Sequence, residues 1–348
     1  MNIAIIGGGI NGLMAADYLA DLGHKVSLFE KGLLCEQTSL KSSKMLHGGI
    51  RYLEDYRFNE VREALKCRHL WIKKFKENIE VKRFFIPVYK NTNKSLLKLY
   101  IGVKAYQFLS GSFSLGKSMF HSKADFIKKN PHIDHKDLVA GVSYFDAIMD
   151  DRSIVKKIIE NLRNKCDIYE NTEIFSISKE GVVTGKEVSL NFDYIINACG
   201  PWSSVLRETE IKLDHIRGSH LILDCLIKNP ILKINDDNRV IFLLPFENKT
   251  ILGTTEIRHK IENPPVCSYE EKEYLLDSAN SILKEKIGNS NIIGDYSGVR
   301  PVVMSSGAYS KASRDSTIIK ENKIISIYGG KWTSSNVIGQ KVNKFITG

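Results

Sequence analysis

The sequence predicts an α/β fold of two interleaved domains, one built on an N-terminal βαβ unit and the other a mostly antiparallel sheet capped by helices. Three observations carry that prediction. A short apolar strand at the N-terminus runs directly into a glycine-rich turn and a helix. Buried strands of the same kind recur near Ile195 and Ile327, far along the chain. Between them, Arg239 to Pro245 and Thr250 to Gly253 read as paired antiparallel strands around a turn at Glu247-Asn248.

In chain order, Asn2 to Ile6 is a strand, Gly7 to Gly12 a turn, Leu13 to Leu22 a helix and Lys25 to Glu30 a second strand. Arg57 to Lys76 has helical spacing, with Phe58, Val61, Leu65 and Phe75 on one side. Asp151 to Asn164 and Tyr269 to Lys286 are further amphipathic helices. Asp193 to Ala198 is a buried strand ending at Gly200-Pro201. Ile324 to Tyr328 is a late strand stopped by Gly329-Gly330, and a last helix runs from about Ser334 to Phe345. This pattern assigns residues 1–80, 140–205 and 290–348 to the first domain, and 81–139 and 206–289 to the second.

Composition narrows the class. With 43% apolar and 26% charged residues the chain is an ordinary globular protein, and 348 residues suffice for a substantial core. No run of about 18 apolar residues is present, so no spanning helix is expected. Met1 to Ala20 lacks a basic start and is interrupted by Gly7-Gly8-Gly9, which argues strand and turn rather than a secretion signal. The cysteines at 35, 67, 166, 199, 225 and 267 have no paired spacing. They fit reduced thiols in the cytoplasm and suggest neither a metal site nor a disulfide framework. The formal net charge of +10 suits an acidic substrate or peripheral contact with an anionic membrane. There is no motif for nucleic acid.

Gly7-x-Gly9-x-x-Gly12 lies where a strand gives way to a helix. The first glycine permits the tight turn, the second lets backbone approach a pyrophosphate, and the third allows close helix–strand packing. The helix N-terminus adds partial positive charge and free N–H groups. Glu30 closes the second strand 18 residues past Gly12, where a carboxylate accepts hydrogen bonds from ribose hydroxyls. The unit is therefore read as Rossmann-like and dinucleotide-binding.

The segment Thr38-Ser39-Leu40-Lys41-Ser42-Ser43-Lys44, followed by His47-Gly48-Gly49-Ile50-Arg51-Tyr52-Leu53, resembles the loop of the FAD-dependent glycerol-3-phosphate dehydrogenases, within the D-amino-acid-oxidase-like flavoproteins. Further pieces fall in that family's order: Tyr144-Phe145-Asp146, Asn197-Ala198-Cys199-Gly200-Pro201-Trp202, Arg217-Gly218-Ser219-His220, Gly253-Thr254-Thr255, Gly298-Val299-Arg300-Pro301, Ser313-Arg314-Asp315 and Gly329-Gly330-Lys331-Trp332-Thr333. The resemblance implies FAD as cofactor, with Lys31, Thr38, Ser39, Gly200, Trp332 and Thr333 among the residues that hold it. Ser42 and Ser43 are expected to donate to the pyrophosphate. Gly48 and Gly49 are expected to leave room for a flat isoalloxazine ring, and backbone N–H groups at Gly330 and Lys331 to face its N1/O2 edge.

The resemblance also implies a substrate pocket. Arg51, Arg300, Arg314 and Lys331 are the cations suited to a phosphomonoester, since a planar guanidinium binds phosphate bidentately. His47 and His220 are the candidate bases, with Arg300 beside them, and Tyr52 either bonds substrate or packs. The implied reaction is oxidation of sn-glycerol 3-phosphate to dihydroxyacetone phosphate, with electrons passed to a quinone or another acceptor. Two alternatives stand: another hydroxy acid, amine or polyol phosphate as substrate, or a flavin-binding protein without turnover. The family's C-terminal helical domain has no counterpart in this sequence. Glu256 stands where Asp normally follows Gly-Thr-Thr, Ser335-Asn336 replaces a Tyr/x-Arg pair, and Ser316-Thr317 departs from the family pattern after Asp315.

Overall fold

The four inner strands of one sheet are buried at nearly every position, because parallel strands covered on both faces must be apolar throughout. The computed structural model describes residues 1–90, 92, 94–206, 211–303 and 316–348. Ile324–Gly329, Tyr194–Asn197, Asn2–Ile6, Lys25–Phe29 and Asp167–Tyr169 lie parallel in that order, with Ser316–Glu321 added antiparallel at one edge. Seven α-helices are found among the described residues: α1 (Ile10–Asp21), α2 (Phe58–Lys74), α3 (Leu96–Ser110), α4 (Lys123–Lys129), α5 (Asp151–Leu162), α6 (Tyr269–Asn280) and α7 (Ile338–Thr347). Helix α1 contacts both α5 and α7. Ile3, Ile5, Leu13, Leu19, Leu28, Ile154 and Val342 interlock between these helices and the sheet as one core.

The second sheet has ten strands and is antiparallel except where Ile231–Ile234 meets Ile79–Tyr89. Its order runs Ile257–Arg258, Leu213–Leu223, Lys249–Gly253, Val240–Phe246, Ile231–Ile234, Ile79–Tyr89, Leu138–Met149 and Met45–Leu46. Ile292–Val303 pairs beside Leu213–Leu223, and Met119–Ser122 beside Leu138–Met149. The Glu247-Asn248 turn expected between two of these strands is present, with both residues at positive φ, as a two-residue hairpin turn requires. A separate three-stranded sheet is formed by 174–177, 182–185 and 189–191.

Hydrogen bonding crosses the boundaries drawn from the sequence. Leu138–Met149 and Ile292–Val303, which fall largely in segments 140–205 and 290–348, belong to the ten-stranded sheet. Their apolar runs look the same to a sequence whichever sheet they enter. Helix α6 also stops at Asn280, short of Lys286, because Asn280 turns back to bond both backbone groups of Ile287. That turn delivers Ile282 and Leu283 to the core.

Candidate functional site

The glycine turn divides its labour as the spacing requires. Gly7 has φ +103°, and a Cβ there would lie 2.6 Å from the Ala198 carbonyl oxygen of the neighbouring strand. A Cβ on Gly12 would sit 2.0 Å from the Gly7 carbonyl oxygen, so this glycine serves helix–turn packing. Gly9 instead faces the cavity, with only Ser39 Oγ near its missing Cβ, at 3.3 Å. Glu30 accepts from Gly8 N at 2.7 Å and from Gly32 N at 3.0 Å, and it too lines the cavity. An ionised carboxylate has about four lone-pair sites, so acceptor capacity remains for ribose hydroxyls.

The following loop is stitched between the two sheets. Ser39 Oγ accepts from Ile10 N at 2.9 Å, at the start of α1. Thr38 Oγ1 donates to the Val299 carbonyl at 2.8 Å, and Tyr296 donates to the Ser42 carbonyl at 3.0 Å. A Cβ on Gly298 would come within 2.8 Å of Lys41 Cβ, so that glycine lets the loop seat on strand 292–303. The Ser42 hydroxyl is committed elsewhere than expected. It donates to Asp151 Oδ2 at 2.8 Å, part of a buried pair in which Lys44 Nζ reaches the same oxygen at 2.7 Å. Ser42 and Ser43 both line the cavity.

These segments enclose a cavity of about 1080 Å³, above the roughly 300–1,000 Å³ usual for small-molecule pockets. Its wall runs from Gly7 and Gly9 past Lys31, whose Nζ lies 4.3 Å over the Trp202 ring, to Gly200, Gly330, Trp332 and Thr333. The wall also includes His47, Gly49, Arg51, Tyr52, Arg300 and Lys331. Lys331 Nζ sits 4.0 Å above the Tyr52 ring. The Arg300 guanidinium lies over Gly218, where a Cβ would meet Nη2 at 2.4 Å. Glycine at that position makes room for the arginine from the adjacent strand. The open face at Gly9, the Glu30 carboxylate and the size of the cavity fit a flavin dinucleotide.

Three expected positions lie outside the wall, one of them Gly12 with its packing role. His220 is 1% exposed, stacked on Tyr296 with ring centroids 4.6 Å apart. Burial first, and then the positive charge of Arg300 and Lys44, hold its imidazole well below the usual range, hence neutral. The sequence could not distinguish this packed ring from a base. Gly48 has no room for a side chain because Leu65 and the Tyr106 hydroxyl crowd it at 2.6 Å. Gly49 is left-handed, φ +74°, packed on Tyr52. Arg314 falls outside the described residues. Sequence reasoning also missed Asn11 and Thr254. Asn11 sits inside the glycine turn, lines the cavity and donates to the Gly329 carbonyl at 3.4 Å. Thr254 lies in the quoted Gly-Thr-Thr segment, a signal that was available.

Such a parallel sheet, opening through a glycine turn onto a cation-lined cavity, defines a flavin-dependent oxidoreductase. The family model described as FAD dependent oxidoreductase matches residues 2–342, and the chain belongs to that family, DAO. It is an FAD-dependent dehydrogenase or oxidase. It is 32% identical to a glycerol-3-phosphate dehydrogenase of Pseudomonas tolaasii over 96% of this chain and 69% of that protein. It is 30% identical to a D-erythritol 1-phosphate dehydrogenase of Brucella abortus over 98% of this chain and 72% of that protein. The fold matches L-alpha-glycerophosphate oxidase from Mycoplasma pneumoniae, solved with FAD bound, at a TM-score of 0.82 and 18% identity, covering 100% of this chain and 94% of that one. The chain thus spans about two thirds of the length of the curated relatives. Among the described residues no helix is long and apolar enough to cross a membrane, and no cluster of metal-ligating side chains is found.

Proposed function

We propose that this chain oxidises the secondary alcohol of sn-glycerol 3-phosphate to dihydroxyacetone phosphate. The observation that carries the reading is that Arg300, Lys331, Arg51 and His47 all line the same cavity. Arginine there would take the phosphate dianion, and Lys331 would add positive charge beside it. His47 would remove the hydroxyl proton. FAD, which Gly9, Glu30 and Lys31 would help to hold, would supply a hydride acceptor for the carbinol carbon, with the electrons then leaving to a quinone or another acceptor.

A four-carbon polyol phosphate is the second reading, supported by the Brucella relative. Peripheral contact with an anionic membrane is consistent with the +10 charge. Anaerobic mixing of the FAD-loaded protein with glycerol 3-phosphate, erythritol 1-phosphate and glycerol, followed by loss of the flavin's visible absorption, tests the reading. Rapid bleaching by glycerol 3-phosphate and none by glycerol is the expected result. Faster bleaching by the four-carbon phosphate would move the assignment to the second reading, and no bleaching by either would overturn both.

A further inference from the structure

At the cavity wall, which Asp146 helps to line, lies a buried chain of hydrogen bonds that the reaction as written does not use. Arg68 on α2, Tyr106 on α3 and Asp146 on strand 138–149 meet at exposures of 1%, 2% and 0%. Arg68 Nη1 donates to Asp146 Oδ1 at 2.6 Å and to the Phe145 carbonyl, while Nη2 donates to the Phe113 carbonyl. The Tyr106 hydroxyl donates to both Asp146 oxygens at 2.9 Å. Its own oxygen then accepts the Gly48 N–H at 2.6 Å.

The direction of this chain is dictated by charge. A carboxylate paired with a guanidinium only accepts, so the single hydroxyl proton of Tyr106 points at Asp146. The lone pairs are left for Gly48, and the polarised hydroxyl accepts more strongly than an isolated phenol. Gly48 can answer only with backbone, since a Cβ would collide with the same hydroxyl. The residues on either side of Gly48 are His47, which lines the cavity, and Gly49, fixed in a left-handed conformation.

We propose that Tyr106, oriented by Asp146 and Arg68, is a positioning residue for His47: it pins the backbone at Gly48 and so sets the angle at which the imidazole enters the cavity. The proposal rests on the reading of His47 as the base. Removal of the pin leaves the ring packing of Tyr106 against Tyr144 in place, but frees the peptide that carries His47. Misplacement of a reacting group by about 1 Å costs on the order of 100-fold in rate.

The test is Tyr106→Phe in the FAD-loaded protein, with two readouts. Amide hydrogen exchange should quicken in a peptide covering residues 45–52 while α3 and strand 138–149 keep their protection. In anaerobic mixing with glycerol 3-phosphate, the limiting rate of flavin reduction should fall roughly 10- to 100-fold. Half-saturation should stay nearly constant, and reduction by dithionite, which needs no base, should be unchanged. Unaltered exchange in 45–52, an unaltered limiting rate, or loss of FAD and fold would each overturn the proposal, the last by assigning Tyr106 to the core. If the wild-type protein is reduced by no polyol phosphate, the functional reading fails separately, and exchange alone decides whether Tyr106 holds the loop.

Discussion

Arg300 Nη2 donates a 2.9 Å hydrogen bond to Thr254 Oγ1, so the guanidinium is aimed into the cavity by a residue on a different strand connection. Removing one partner of a buried charge pair typically costs about 2–5 kcal/mol. Arg300→Ala should therefore lower kcat/KM for glycerol 3-phosphate by roughly 30- to 4000-fold, at ~1.4 kcal/mol per factor of ten. FAD content should stay intact, and trace activity on glycerol should barely move. Thr254→Val should cost less, roughly tenfold, because it loosens the arginine without removing it. Steady-state kinetics on both substrates check this. Equal losses for glycerol and its phosphate would give Arg300 a role in the chemistry or pocket shape instead.

The three glycines of the N-terminal turn should separate by phenotype. Gly9→Ala adds a methyl group facing the cavity, 3.3 Å from Ser39 Oγ. It should fold and retain FAD poorly. Gly12→Ala drives its Cβ to 2.0 Å from a backbone oxygen and should destabilise the fold whether or not FAD is present, by roughly 1–3 kcal/mol. Thermal melts of apo and FAD-loaded protein distinguish the two. A Gly12→Ala protein as stable as the parent would contradict the packing assigned to that residue.

His220 makes a prediction through pH. Its folded pKa lies well below its ordinary value of 6.5, so below pH 6.5 the unfolded chain takes up a proton that the folded chain refuses. The stability contribution is present above 6.5 and declines as pH falls, by up to about 1.4 kcal/mol per pH unit. His220→Gln should flatten the fall in unfolding free energy between neutral and mildly acid pH by the slope of one proton. Flavin reduction by substrate should stay within roughly fivefold of the parent. A collapse of turnover with FAD retained would return this ring to the chemistry.

Asp17 on α1 behaves in the opposite chemical class but with the same sign. Its burial alone would raise the carboxyl, yet Lys165 and Lys74 outweigh that and hold it below its ordinary 3.8. Lys165 Nζ lies at 2.7 Å and Lys74 Nζ at 3.1 Å, while Asn161 Nδ2 donates at 2.9 Å. The stabilisation is present above the unfolded value and lost as pH falls through the folded one. Asp17→Asn should cost roughly 1 kcal/mol at neutral pH and progressively less below about pH 4. Denaturant titrations across that range decide it. A penalty that persists undiminished at pH 3 would show that packing, and not charge, is what Asn disturbs.

What the sequence determined by itself is local. The strand–glycine–helix unit, Glu30 at the end of the second strand, the hairpin at Glu247-Asn248 and the late Gly329-Gly330 turn are written in short spacings, because backbone sterics and hydrogen-bond periodicity act over a few residues. The cation set at Arg51, Arg300 and Lys331 was legible for its chemistry and for its place in the family's motif order. Tertiary structure alone decided what depends on partners far along the chain. Leu138–Met149 and Ile292–Val303 entered the antiparallel sheet because their partners at 79–89 and 213–223 lie across loops no spacing encodes. His220 faced Tyr296 rather than the cavity, since a strand residue takes whichever side its register presents. Gly48 proved to be crowded by Tyr106, 58 residues away. A buried contact of that kind is set by how two helices pack on a sheet, and packing is a property of the whole chain.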